Sequence, residues 1–129
     1  MTGGKRHGDG GTFIVPTIFS RPPANAKVVR EEIFGPVLVA EPFDDVDAAI
    51  AAANDSPYGL VGAVYTTSLD KAHRIAGAVQ SGVIFINCHG MLDFNLPFGG
   101  YKQSGWGREG GAMGVEAFME TKSVIAKLF

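Results

Sequence analysis

The sequence predicts an α/β chain built around an open, mostly parallel βαβ sheet. Three observations carry this. Short apolar runs recur at residues 37–40, 60–65 and 83–86, each of strand length. Between them lie two segments whose apolar residues repeat every three to four positions, as on one side of a helix. Strand, helix, strand, helix, strand at this spacing argues for parallel strands joined by right-handed crossovers.

Taken in order, residues 1–11 read as a flexible lead-in, rich in glycine. Phe13-Ile14-Val15 and Thr17-Ile18-Phe19 form a β-prone run interrupted by Pro16. Proline cannot donate to a ladder, which puts this run at a sheet edge or a bulge. Arg21-Pro22-Pro23-Ala24-Asn25 is a loop, and residues 37–40 are short and apolar enough for a buried strand. Asp44-Asp45 then opens a helix as N-cap and first-turn acid, with Val46, Ala49, Ile50 and Ala53 on its apolar side. Pro57 ends it, because the residue before a proline is biased away from helix.

Residues 60–65 are the next strand. Ser68 caps a second helix carrying Leu69, Ala72, Ala76 and Val79 on one side, and Ser81-Gly82 stops it. Residues 83–86 form a wholly apolar strand. A glycine-rich loop and a short helix around residues 111–119 follow. Residues 121–129 are β-prone, with Val124, Ala126 and Leu128 on one side and Ile125 and Phe129 on the other.

Composition narrows the function classes. The chain has 129 residues, 46% hydrophobic and 19% charged, which suits a modest globular core and argues against disorder. A net charge of -2 implies no basic surface for nucleic acid. No apolar run approaches the roughly 18 residues that span a membrane, and the basic start has no hydrophobic segment of a secretory signal. The single cysteine cannot form an internal disulfide and fits a reducing cytoplasm. Gly, at 18 residues, clusters at 3–11 and 99–114; these are either long surface loops or loops closing over a site.

Two motifs stand out: Glu31-Glu32-Ile33-Phe34-Gly35-Pro36-Val37, and Pro97-Phe98-Gly99-Gly100-Tyr101-Lys102-Gln103-Ser104-Gly105. Adjacent carboxylates on extended backbone point to opposite faces, so Glu31 and Glu32 are not expected to share a proton. A solvated acidic turn before a buried strand explains them without any ligand. The two motifs, with Gly3-Gly4 and Phe13-Ile14-Val15-Pro16-Thr17 before them, resemble the C-terminal part of the NAD(P)-dependent aldehyde dehydrogenases. The resemblance covers nearly the whole chain. It places residues 1–118 in a partial catalytic domain and residues 119–129 in an oligomerisation strand.

The resemblance implies site residues. Glu32 would accept hydrogen bonds from the nicotinamide ribose hydroxyls of NAD or NADP, as an ionised carboxylate can. Phe34 would pack by the nicotinamide ring. Residues 87–98 correspond to the substrate-tunnel loop, so Gly90, Leu92 and Phe98 would face the aldehyde; equally, Leu92 and Phe98 are loop anchors tucked into the core. Glu109 corresponds to a suggested proton-relay member, though a helix N-terminal Glu favoured by the dipole accounts for it as well.

Other chemistry is weakly supported. Gly105-Trp106-Gly107-Arg108-Glu109-Gly110 matches GxGxxG, but no strand precedes it and no βαβ unit follows, so it is not a dinucleotide fingerprint. Cys88 has His89 as its neighbour, yet side chains of neighbours on extended chain diverge, and an incidental cysteine is the better reading. His7, His73 and His89 show no metal-ligand spacing. In the resembled family the nucleophile sits in a Gly-Gln-x-Cys segment upstream, with the general-base Glu and the Rossmann domain. None of these occurs in the 129 residues, and Met1 falls in mid-enzyme.

The first expectation is therefore a C-terminal segment of an enzyme oxidising aldehydes to carboxylates, inactive alone and binding no cofactor tightly by itself. The alternative is a stand-alone interaction module, self-associating or docking on a full-length relative through residues 119–129 by strand addition.

Overall fold

The computed structural model describes all 129 residues, in the order β1 (Thr17–Ser20), α1 (Lys27–Arg30), β2 (Val37–Ala40), α2 (Val46–Asn54), β3 (Val61–Val64), α3 (Leu69–Ala78), β4 (Val83–Ile86) and α4 (Gly111–Glu116). A single 3-10 turn, Lys102–Ser104, lies between β4 and α4. The chain divides into two compact units, Met1–Ala49 and Ile50–Phe129. Each carries one pair of parallel strands, β1 with β2 and β3 with β4. The α/β class and the open, parallel pairing agree with the sequence. The three apolar runs do not share one sheet, however, because β2 and β3 lie in different pairs.

In the first unit, β1 and β2 run in register from Thr17 opposite Val37 to Ser20 opposite Ala40. The lead-in is not free. Thr2 bridges to Ile18 and Arg6 to Ile14, both antiparallel, so it folds back along the strand that follows. Gly3 lies so close over this strand that a Cβ there would overlap the Pro16 carbonyl oxygen, and its φ of 83° suits only glycine. Thr17, the one buried residue of this unit, accepts from the Gly4 N–H at 2.7 Å and donates to the Val15 carbonyl at 2.8 Å. The sequence reading missed α1, since four residues are too short to show helical periodicity. β2 was expected to be buried, but Leu38 is 57% exposed, because a two-stranded pair leaves an apolar strand half uncovered.

The helix cap lies one residue from the predicted arrangement. Asp45 is the N-cap, its Oδ2 accepting from the Ala48 N–H at 2.9 Å, and Asp47 is the first-turn acid. In the second unit Ser68 caps α3, accepting from the Lys71 N–H at 3.3 Å. The inward side of α3 runs through Ala72, Ile75 and Ala76, while Leu69 is exposed rather than inward and Val79 is the extended C-cap, ahead of the predicted stop at Ser81-Gly82. The buried apolar core is small, consisting of Val64, Ala72 and Phe85. Residues 121–129 form no strand and are exposed throughout. β propensity there has no partner strand to satisfy its backbone, and a fold back onto the chain's own sheet does not occur.

Candidate functional site

The acidic motif of the first unit begins where α1 ends. Glu31 is the C-cap, its N–H donating to the Lys27 carbonyl at 2.7 Å, and its carboxylate lies 4.0 Å from Lys27 Nζ on an exposed surface. Glu32 makes no hydrogen bond or ion pair, so its oxygens are free to accept donors. Gly35 N–H donates to Ile33 and Val37 N–H to Gly35, both at 2.8 Å, which makes a tight double bend. The bend is tied to the strand pair by Thr17 N–H donating to the Pro36 carbonyl at 2.8 Å. It holds the Phe34 ring out at 96% exposure. A Phe presented this way gains nothing from its own chain and is available to a flat apolar partner.

The second unit holds the other candidates. β4 ends at Ile86, and Gly90 follows with φ 73°, a conformation glycine adopts without cost. Leu92 is 60% exposed and its N–H donates to the Gly90 carbonyl at 3.1 Å. Leu92 is therefore not a loop anchor tucked into the core. Phe98 is half-buried. It exchanges two backbone hydrogen bonds of 2.7 Å with Glu109, so the structure brings these two candidates together. This bridge closes residues 99–108 into a loop. Glu109 is not a first-turn acid of α4, whose N-cap is Gly110. His89 packs its ring edge-on to Phe85 at 5.6 Å, an arrangement that serves packing rather than a thiolate partner for Cys88.

The Phe98–Gly105 motif packs on the edge of β3 and β4 where those strands begin. A Cβ on Gly82 would overlap the Gly99 carbonyl, and one on Gly100 would come within 2.5 Å of Ser104. The buried Gly59 donates its N–H to Ser104 Oγ at 3.0 Å, while its carbonyl accepts from Gly82 and Tyr101 at 3.0 and 2.8 Å. Lys102 Nζ donates to the Asn54 and Ser56 carbonyls at 2.7 and 3.0 Å, placing its charge at the C-terminus of α2, where the helix dipole favours it. Arg108 Nη1 donates to the Gly100 and Gly107 carbonyls at 2.9 and 2.8 Å, and its guanidinium lies 5.7 Å from the Tyr101 ring centre.

This order of motifs, and the bends they form, match one family. The aldehyde dehydrogenase family model aligns with residues 1–124. The chain belongs to the aldehyde dehydrogenase family. It spans only about a quarter of its relatives. It is 46% identical over 125 residues to an aldehyde dehydrogenase of Enchytraeus buchholzi, covering 97% of this chain and 25% of that one. Among solved structures it resembles an indole-3-acetaldehyde dehydrogenase of P. syringae, in complex with NAD+ and IAA, at 43% identity and a TM-score of 0.91 over 99% of this chain and 26% of that one. A Mycobacterium tuberculosis aldehyde dehydrogenase complexed with NAD+ gives 45% identity and a TM-score of 0.88, covering 97% of this chain and 26% of that one.

One further feature of this aldehyde dehydrogenase segment lies apart from the candidates. A shallow, open depression lined by Gln80, Tyr101, Lys102, Trp106 and Arg108 contains none of them. No group of three His, Cys, Asp or Glu side chains could hold a metal ion, and no helix is long and apolar enough to cross a membrane. Sequence reasoning placed Lys102 in the second motif and Asn87 at the start of the 87–98 loop, but assigned no individual role to them or to Arg108. Their partners are backbone carbonyls and amides of distant or irregular segments, which leave no pattern in the side chains.

Proposed function

We propose that these residues are the C-terminal segment of an NAD(P)-dependent aldehyde dehydrogenase, which oxidises an aldehyde to a carboxylate and passes a hydride to the cofactor. One observation carries the proposal: an unpartnered Glu32 and an outward Phe34 sit on a bend pinned to a strand pair, in a chain that aligns with this family over residues 1–124. Glu32 would hold the nicotinamide ribose of NAD or NADP through its two oxygens. Phe34 would limit where the nicotinamide ring lies. Gly90, Leu92 and Phe98 would line the path of the aldehyde, and their apolar character favours an aliphatic or aromatic substrate over a charged one. Glu109, paired through its backbone to Phe98, would take part in a proton relay.

The 129 residues hold no Gly-Gln-x-Cys segment and no Rossmann domain. By themselves they should give no turnover and hold no cofactor tightly, since two contacts do not offset the freedom a ligand loses on binding. A cytoplasmic setting is consistent with the single cysteine. In the whole enzyme, residues 119–129 would pair with a neighbouring subunit, making a homo-oligomer. The exposed Val124, Ile125 and Phe129 support an interaction role for this tail even in isolation, on a second copy or a full-length relative.

The test joins these residues to the N-terminal three-quarters of a relative. NADH formation from an aldehyde should appear in the joined protein, vanish from the 129 residues alone, and show a raised KM for NAD(P)+ in Glu32→Gln. NADH production by the 129 residues alone, lost in Cys88→Ala, would overturn the proposal.

A further inference from the structure

We infer that Asn87 is a positioning residue whose side chain sets the path of the loop assigned to the aldehyde, and through it the enzyme's choice among aldehydes. The inference rests on the reading that residues 87–98 form the substrate-tunnel loop, with Gly90, Leu92 and Phe98 facing the aldehyde.

β3 and β4 pair in parallel from Val61 opposite Val83 to Val64 opposite Ile86. Asn87 adds one further ladder bond, its N–H donating to the Val64 carbonyl at 2.8 Å. There the strand pair would ordinarily fray. Instead, Asn87 Oδ1 accepts from the Thr66 N–H at 2.8 Å while its Nδ2 donates to the Thr66 carbonyl at 2.9 Å. The side-chain amide thus pairs with both backbone groups of one residue, as a neighbouring peptide would. This frees the main chain of Asn87 to leave the sheet. It does so at φ 55°, in the left-handed region that asparagine tolerates better than most residues.

The loop that departs has few other restraints. Its far end is held by the Phe98–Glu109 bridge, and one bond from the Gly111 N–H to the Phe94 carbonyl, 2.9 Å, ties its middle. Met91, Leu92, Phe94 and Leu96 are all more than half exposed, so packing within the chain does not hold them. The direction in which Gly90 and Leu92 set out is therefore decided at Asn87, with the edge-on contact of His89 to Phe85 as the one ring contact before Gly90. The C-terminal ends of parallel strands are where open α/β sheets place their ligands.

The experiment uses an aldehyde dehydrogenase whose C-terminal quarter is these 129 residues. Asn87→Gly keeps the left-handed backbone and loses both side-chain bonds. Asn87→Asp keeps the acceptor for Thr66 N–H and loses the donor. Two readouts are taken: amide exchange at Thr66 and residues 88–96, and the ratio of kcat/KM for a long and a short aldehyde. In Asn87→Gly, Thr66 exchange should quicken on the order of fivefold to tenfold, and the aldehyde ratio should shift roughly threefold or more. Asn87→Asp should give a smaller shift in the same direction. A merely structural role would lower stability and kcat for both aldehydes alike, leaving the ratio fixed. Unchanged Thr66 exchange overturns the inference, and so does faster exchange with an unchanged ratio. Leu92→Ala separates the two levels. If it too leaves the ratio unchanged, the loop does not face the aldehyde and the functional reading has failed; if it shifts the ratio, only the role of Asn87 has.

Discussion

At the scale of single residues, two glycines of one chain make opposite demands. Gly82 meets the Gly99 carbonyl where a Cβ would stand, and backbone cannot swing aside as a long side chain can. Gly77 lies inside α3 with nothing within 4 Å of its Cβ position. Gly82→Ala should therefore destabilise by about 3 kcal/mol or more, as overpacking against backbone does. Gly77→Ala should stabilise by about 0.5–1 kcal/mol through helix propensity and a less flexible unfolded chain. Urea denaturation of the two variants checks the signs; equal effects would mean that Gly82 is not tightly held. Glu32 and Phe34 were legible as candidates because their motif is contiguous. Asn87 was not, because its meaning lies in Thr66, 21 positions away.

At the scale of elements, stop and start signals were read well. Ser68 caps α3, and helix α2 ends at Asn54 before the Ser56-Pro57 break. Ser68→Ala should cost about 1 kcal/mol of stability, measured by thermal or urea unfolding, with Ser68→Asp close to neutral because it keeps the acceptor. The single-turn α1 escaped, since four residues are too few for a repeat to show. Pattern also mistook the inward side of α3: Leu69 sits in the first turn, ahead of the contact with the strands, so Ile75 rather than Leu69 turns inward. The terminal segment is the converse case. Alternating apolar residues at 121–129 carry strand propensity, but a strand exists only where another strand answers it.

At the scale of the whole molecule, surface outweighs core. The chain exposes 10554 Å². A folded monomer of its 13.6 kDa mass exposes about 6,600 Å², and even two separate bodies sharing that mass expose about 8,000 Å². With Val64, Ala72 and Phe85 as its buried apolar residues, the chain has apolar surface that asks for a partner. Phe118, Val124, Ile125 and Leu128 are each more than four-fifths exposed. Deleting residues 119–129 should lower the mass of the purified chain in light scattering, from an oligomer toward a monomer. An unchanged mass would remove the tail from any account of assembly.

The sequence by itself determined the α/β class, most strand and helix positions, the family, and the candidates Glu32, Phe34, Gly90, Leu92, Phe98 and Glu109. These are properties of contiguous residues: periodicity, caps, turn chemistry and short motifs. Only the tertiary structure decided that the strands form two separate pairs, that Phe98 and Glu109 are bridged, that the Phe98–Gly105 motif is a packing hub, and that Asn87 closes the strand end. Each of these depends on backbone groups distant in sequence meeting within a hydrogen bond or a Cβ radius. Backbone is the same at every position, so the side-chain pattern does not record which of its groups will meet.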